Sequence, residues 1–123
     1  DTEWTTLEEY LIANGYNYDG TTTGNKIAKA MASTTGWNTS TETGAIGNDQ
    51  SLNNDSGFNA FPEGYRYDGE GAFFNEGNYA FFWSSTEISA NEVMYRYLFW
   101  RTRLLISDYF PKQNGFSVRF VRD

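Results

Sequence analysis

The second half of the chain consists of short aromatic-rich segments separated by glycine residues, and this pattern restricts the fold more than any other feature. The segments cover residues 58–61, 65–67, 72–74 and 79–84. Pro62 and the intervening glycines are typical of turns, so each segment predicts a short strand. Residues 116–120 alternate Phe116, Val118 and Phe120 with polar residues, as a half-buried strand does. We therefore predict several short antiparallel strands in this half of the chain.

The first half of the chain predicts two helices. Thr5 and Glu8 have the spacing of a capping box, and Gly15 provides a C-terminal stop for the helix that follows. A second helix is predicted over about residues 23–32, because its apolar residues recur on one helical face. Trp37, which follows, is expected to fill the core beneath these helices. Two helices followed by antiparallel strands predict an α+β fold.

A long polar segment separates the predicted helices from the strands. Residues 38–57 contain only Ala45, Ile46 and Leu52 as apolar side chains other than glycine. This composition predicts a surface loop, and a loop of such length in a compact domain often carries function or shapes a site.

The composition excludes several classes of function. The chain contains no cysteine and no histidine, which removes disulfides, thiol nucleophiles, imidazole bases and the usual zinc sites. Residues 1–76 carry three basic against twelve acidic residues, whereas residues 77–123 carry six against four. Phosphate binding needs a net basic face, so a chain with a net charge of −7 is not expected to bind nucleic acid.

Length and hydropathy indicate a single domain, residues 1–123. A chain of 123 residues is long enough to bury roughly two-thirds of its unfolded surface in one core. No apolar run approaches the roughly 20 residues that span a bilayer, so we expect no direct membrane insertion. The sequence starts at Asp1 without the features of a signal peptide, which is typical of a mature or excised domain.

One segment near the C terminus, residues 94–112, follows neither a helical nor a strand period. It reads MYRYLFWRTRLLISDYFPK and places aromatic residues beside Arg96, Arg101 and Arg103. With a period of two, both faces carry aromatics and arginines, whereas a solvated antiparallel sheet has one polar face. Aromatic and arginine side chains dominate binding hot spots, so this segment predicts a recognition surface.

The alternative interpretation of this segment is a strand buried on both faces, whose arginines extend their charged ends to solvent. Three arginines so close together are unfavourable to bury, so we favour exposure of the aromatics. Exposure predicts that alanine at Tyr97, Phe99, Trp100 and Tyr109 leaves the melting temperature nearly unchanged, whereas a buried strand would lose stability.

Short motifs lie in order along nearly the whole chain. They are Glu3-Trp4 with Leu7, Gly24-Asn25-Lys26-Ile27, Trp37-Asn38, Asn54-Asp55-Ser56-Gly57-Phe58-Asn59-Ala60, Pro62, Gly64-Tyr65-Arg66, Gly71-Ala72-Phe73, Phe82-Trp83-Ser84-Ser85-Thr86, Gly115-Phe116-Ser117-Val118-Arg119 and Val121-Arg122-Asp123. In these motifs the sequence resembles the Fibrobacter succinogenes major paralogous domain, a bacterial surface module of the C-type-lectin-like fold group. That family often has cysteine where this chain has Phe120. The resemblance implies a C-type-lectin-like α+β fold with two N-terminal helices, twisted antiparallel strands and long irregular loops.

Some members of that family resemble the variable proteins of diversity-generating retroelements. In those systems an error-prone reverse transcriptase changes adenines in asparagine codons near the C terminus, and the fold displays the resulting side chains. By this resemblance the variable segment spans about residues 88–112, with Leu98 as a fixed position. Many of its residues are reachable from an asparagine codon by adenine changes alone, and Trp100 is an exception. The implied binding residues are Tyr97, Phe99, Trp100, Arg101, Thr102, Arg103, Ile106, Asp108, Tyr109 and Phe110.

Together these features predict a non-enzymatic binding domain, extracellular, on the bacterial cell surface or on a phage particle, for a protein or other macromolecular ligand. We predict no catalytic residues, no metal and no cofactor; Trp37-Asn38-Thr39 approaches a calcium-dependent lectin motif but lacks its aspartate. Two alternatives stay open. The first is a carbohydrate-binding lectin domain that stacks sugars on its aromatics, and the second is a structural adhesin or pilus-tip module. The oligomeric state also stays open.

Overall fold

The structure, a computed structural model that describes residues 1–69 and 71–122, runs from a helical first half into a β-rich second half. Its elements are helix α1 (Thr2–Ala13), the one-turn helix α2 (Ala28–Met31), a 3-10 turn (Gln50–Leu52), and strands β1 (Tyr65–Arg66), β2 (Phe73–Phe74), β3 (Tyr79–Glu87), β4 (Glu92–Phe99) and β5 (Ile106–Pro111). Both sheets pair their strands antiparallel. The predicted α+β class is confirmed.

The main sheet is a three-stranded meander with β4 in the centre. Its register pairs Ala80 with Leu98 across β3 and β4, and Tyr95 with Asp108 across β4 and β5. Strands β1 and β2 form a separate small sheet, which a bridge between Gly64 and Ala80 joins to β3. Gly64 has a φ of +69°, and a Cβ there would lie 1.9 Å from the carbonyl oxygen of Phe74. This crossing therefore requires glycine.

The core lies between one face of the main sheet and the helical half of the chain. Its buried members are Trp4, Leu11, Ile27, Ala28, Met31, Ala32, Trp37, Ile46, Ala60, Ala80, Phe82, Leu98 and Leu105. The predicted placement of Trp37 in the core is confirmed, and its indole Nε1 donates a hydrogen bond to Ser33 Oγ over 3.1 Å. Leu98, which was predicted to be a fixed position, is completely buried. Its side chain belongs to the core between β4 and the helical half of the chain.

The polar segment 38–57 forms no strand, but it is less of a surface loop than predicted. Ala45 and Ile46 are buried in it, and the ammonium of Lys29 lies beneath it. Lys29 Nζ donates hydrogen bonds to the carbonyl oxygens of Asn48 and Asp49 and to Oδ1 of Asn53. Burial lowers the pKa of Lys29 below its ordinary value. The buried ammonium of Lys29 therefore organises the segment 38–57, because buried carbonyl oxygens of this segment need a hydrogen-bond donor.

Two helix predictions are wrong in their bounds. Helix α1 already begins at Thr2, so Thr5 lies inside it rather than at a cap, and its hydroxyl contacts the carbonyl oxygen of Asp1 at 3.4 Å. The predicted second helix over residues 23–32 is reduced to the single turn of α2. Asn25 is occupied elsewhere, because its side chain exchanges two hydrogen bonds with the backbone of Leu105.

Two strand predictions are also wrong. Residues 58–61 contribute only one bridge, between Ala60 and Ala32, and residues 116–120 only one, between Ser117 and Phe82. Beyond Ser117 the chain leaves the edge of β3, so Phe120 has no sheet to pack against and is 95% exposed. Alternation of apolar and polar residues leads to a strand only where a neighbouring strand is available for backbone pairing.

Candidate functional site

Alternate residues of the main sheet build a face of aromatic side chains on the side opposite the core. We call this the aromatic face; its aromatic members are Tyr79, Phe81 and Trp83 of β3, Tyr95, Tyr97 and Phe99 of β4, and Phe110 of β5. Phe99 stacks on Tyr79 with 4.6 Å between ring centroids, and Tyr97 on Tyr95 with 5.6 Å. The sequence segment without a period therefore belongs to a sheet that uses both faces.

Two aromatic residues from outside the main sheet cover part of the aromatic face. Phe116 stacks on Trp83 with 4.1 Å between centroids and on Phe81 with 4.9 Å. Tyr65 of β1 meets Phe81 edge to face at 5.4 Å. A cavity of about 240 Å³ remains between them, which we call the aromatic cleft. It is lined by Tyr65, Asn75, Tyr79, Phe81, Tyr95, Tyr97, Phe110 and Phe116.

A carboxylate lies beside the tyrosines of the aromatic cleft. Asp108 on β5 pairs in register with Tyr95 and belongs to the same face. Burial, followed by the negative charge of Asp108, raises the pKa of Tyr95 above its ordinary value. Burial likewise raises the pKa of Tyr97, to which the neighbouring Tyr79 and Asp108 also contribute. These phenols stay protonated near neutral pH and can donate hydrogen bonds into the cleft.

The predicted binding residues fall into three places. Tyr97, Phe99, Ile106, Asp108 and Phe110 lie together on the aromatic face. Residues 100–103 lie in the loop between β4 and β5, which we call the β4–β5 loop. Tyr109 lies on the opposite face of β5, in register with Met94, and is 53% exposed. The structure thus brings five of the ten predicted residues onto one surface.

The β4–β5 loop is attached to the helical half of the molecule through its backbone. The carbonyl oxygen of Trp100 accepts a hydrogen bond from Gly47 N–H over 2.8 Å, and that of Thr102 accepts one from Ile46 N–H over 3.3 Å. The carbonyl oxygen of Arg103 accepts a further bond, from Ala28 N–H over 3.2 Å. The backbone of the loop is therefore fixed independently of its side chains.

The side chains of this loop differ in exposure. Trp100 is half-buried and packs against the core, whereas Arg101 and Arg103 are exposed. The guanidinium carbon of Arg101 lies 5.3 Å from the centroid of the Trp100 ring. Arg103 donates a hydrogen bond to the Tyr18 hydroxyl over 3.1 Å. The two exposed arginines therefore rest on aromatic rings of the protein itself.

Sequence reasoning missed the residues that complete the aromatic cleft. They are Tyr65, Asn75, Tyr79, Phe81, Tyr95 and Phe116. The available signal was the alternation of Tyr79, Phe81 and Trp83 with Ala80, Phe82 and Ser84 along β3, which indicates a strand with two occupied faces.

A larger apolar groove lies away from the predicted residues. It has a volume of about 550 Å³ and runs between α1 and the chain after Ser117. Its walls include Trp4, Tyr10, Phe58 and Phe120. None of the ten predicted binding residues lines it.

Within residues 1–69 and 71–122, no three His, Cys, Asp or Glu side chains come close enough together to hold a metal ion. Across the same residues, no helix has the length and apolarity needed to cross a bilayer.

The comparison with protein families places the chain. The family model of the Fibrobacter succinogenes major domain matches residues 1–122, so the chain belongs to this family. The expected resemblance is confirmed at the level of the family. Neither the comparison with curated proteins nor that with solved structures returned a match.

Proposed function

We propose that the chain is a non-enzymatic binding domain that recognises a protein or other macromolecular ligand through the aromatic face and the β4–β5 loop. The observation that supports this proposal is the convergence of Tyr97, Phe99, Ile106, Asp108 and Phe110 on one face of a hydrogen-bonded sheet. Tyrosine and other aromatic side chains supply rigid contact area at low entropic cost, as in antibody paratopes. Arg101 and Arg103 of the β4–β5 loop are exposed and supply hydrogen-bond donors.

The finer parts of the proposal concern fold group and origin. We assign the domain to the C-type-lectin-like group and the segment 88–112 to the variable region of a diversity-generating retroelement protein displayed on a bacterial cell surface or phage particle. Backbone pairing between β4 and β5 supports this assignment, because strand pairing and the loop's backbone bonds are compatible with many side chains. Leu98, Val93 and Arg96 are buried on β4 and would form the constant part.

The test of the variable region is the flanking DNA of the gene. We expect a near-copy repeat of codons 88–123 that differs at adenines, beside a reverse transcriptase gene. Substituted positions should fall on the aromatic face and in the β4–β5 loop, and should omit Leu98. A gene without such a repeat would contradict the retroelement assignment and leave a surface domain of the family.

Two solution experiments test the binding mode. A glycan array with and without Ca²⁺ should give no signal above that of a variant with Tyr97→Ser and Asp108→Asn; glycan binding lost in this variant would favour the lectin alternative. The solution size should not change with protein concentration. Self-association that the same substitutions abolish would favour the structural adhesin alternative, because the aromatic face would then pack on another copy.

A further inference from the structure

We propose that the aromatic cleft accepts one cationic side chain, the ammonium of a lysine or the guanidinium of an arginine, from the macromolecular ligand. The inference rests on the proposed function, since it assumes that the ligand approaches the aromatic face. It adds a chemical class for the group that enters the cleft.

The size of the cleft fits a single side chain. Its volume of about 240 Å³ lies below the range of roughly 300–1,000 Å³ that pockets for whole small molecules occupy. One long side chain of a ligand fills such a space, while the rest of the ligand stays on the rim. Asn75 and Tyr65 of β1 contribute to its lining from outside the main sheet.

The walls of the cleft attract a cation. Seven of its eight lining residues are aromatic. A cation within roughly 6 Å of such a ring face is attracted by the ring quadrupole, most strongly where water is excluded. The protein uses this contact elsewhere: the guanidinium carbon of Arg119 lies 4.5 Å from the centroid of Phe58. In the part of the chain that the structure describes, the cation–π pairs use Trp100, Tyr18, Phe58 and Phe82, and none uses a ring of the cleft.

The surroundings of the cleft are negatively charged, which favours a cationic group. No lining residue of the cleft is basic, and Asp108 adds a carboxylate beside Tyr95 and Tyr97. Among residues 1–69 and 71–122, no Lys or Arg forms a salt bridge with Asp108. Its Oδ1 accepts a hydrogen bond from the N–H of its neighbour Tyr109, over 2.8 Å. The net charge of −7 further favours approach of a cationic group.

The experiment titrates the domain with single-residue probes and follows backbone and tyrosine NMR signals. Nα-acetyl-lysine amide and Nα-acetyl-arginine amide are compared with Nα-acetyl-norleucine amide, which has a similar stem without the charge. Methyl β-glucoside is the sugar probe. We expect the cationic probes to shift signals of Tyr79, Tyr95 and Tyr97, and to bind about five- to tenfold more tightly than the norleucine probe.

Matched variants separate the charge from the fold. Asp108→Asn keeps the acceptor for Tyr109 N–H and should weaken lysine binding about threefold. Glu9→Gln removes the same charge from α1, behind the sheet, and should leave binding unchanged. Tyr97→Leu should weaken both cationic probes while the remaining amide spectrum stays native.

The following outcomes would overturn the inference. Equal binding of the norleucine probe would make the cleft merely apolar, and preference for the glucoside would make it a sugar site. Absence of cleft shifts with either cationic probe would reject the inference. The proposed function is read out separately, because a repeat of codons 88–123 whose substituted positions fall on the aromatic face would leave it standing.

Discussion

At the scale of single residues, cations of this protein occupy two different environments. Arg101 and Arg103 are exposed, as the recognition prediction requires, whereas Arg96 is buried and pairs with the carboxylate of Asp1. Burial lowers the pKa of Arg96, and Lys29 shows the same direction for the same reason. A buried cation is costly without acceptors, and Lys29 has several of them, whereas the described residues offer Arg96 the carboxylate of Asp1 and leave its Nε without a partner.

The role of Lys29 gives a stability prediction. Lys29→Met keeps the length of the side chain but leaves the carbonyl oxygens of Asn48 and Asp49 without their buried donor. We expect the free energy of unfolding to fall by about 2–4 kcal/mol, as measured by urea denaturation. Lys26→Met is the matched control, because Lys26 forms a solvent-accessible pair with Asp19, whose loss should have a much smaller effect. Similar losses in both variants would contradict the organising role of Lys29.

At the scale of elements, the segment 94–112 is most of a β-hairpin whose parts have separate roles. Strand β4 is central and contributes to both faces of the sheet, strand β5 carries Asp108, and the loop between them is bonded to the helical half. Neither original interpretation describes the whole segment. Strand β4 is buried or half-buried along its whole length, with Tyr97 and Phe99 half-buried on the aromatic face, whereas most of β5 is exposed.

Alanine at the aromatic residues of this segment was expected to leave the melting temperature unchanged, but we now expect different effects in the loop and in β5. Trp100 packs against the core from the loop, so Trp100→Ala should lower the free energy of unfolding by about 2 kcal/mol. Tyr109 lies exposed on β5, and Tyr109→Ala should change it by less than about 0.5 kcal/mol. Urea denaturation of the two variants gives the comparison. Equal effects of the two substitutions would show that the Trp100 ring does not contribute to the core.

At the scale of the whole molecule, the two faces of the main sheet have different roles. The core face packs Ala80, Phe82 and Leu98 against the helical half, and the aromatic face carries the cleft. The acidic residues concentrate in the chain before residue 77, while the two exposed arginines of the loop lie beyond it. A body with this charge repels phosphate backbones overall.

The charge of the whole molecule predicts no nucleic-acid binding. In a fluorescence anisotropy titration with labelled duplex DNA at about 150 mM salt, we expect no saturable increase. A lysine-rich peptide serves as the positive control for the labelled DNA. A Kd tighter than about 10 µM at this salt would contradict the assignment of the site to protein or other non-nucleic ligands.

The sequence predicted local features with clear physical signals and missed those that depend on partners. The aromatic composition of residues 79–84 and the glycine turns indicated strands, and Trp37 was correctly expected in the core. Residues 116–120 alternate as a strand does, but no edge of the sheet continues beside Val118 and Phe120. Pairing is a property of two segments, and a pattern in one of them cannot establish it.

The sequence by itself determined the α+β class, the family, the absence of cysteine and histidine, and one segment that contributes residues to the candidate site. Only the tertiary structure decided which side chains of that segment meet. Strand register placed Asp108 beside Tyr95, and residues distant in sequence, Tyr65 and Phe116, closed the cleft. Composition and local period act on neighbours along the chain, whereas a binding cleft forms between surfaces that meet only when the chain has folded.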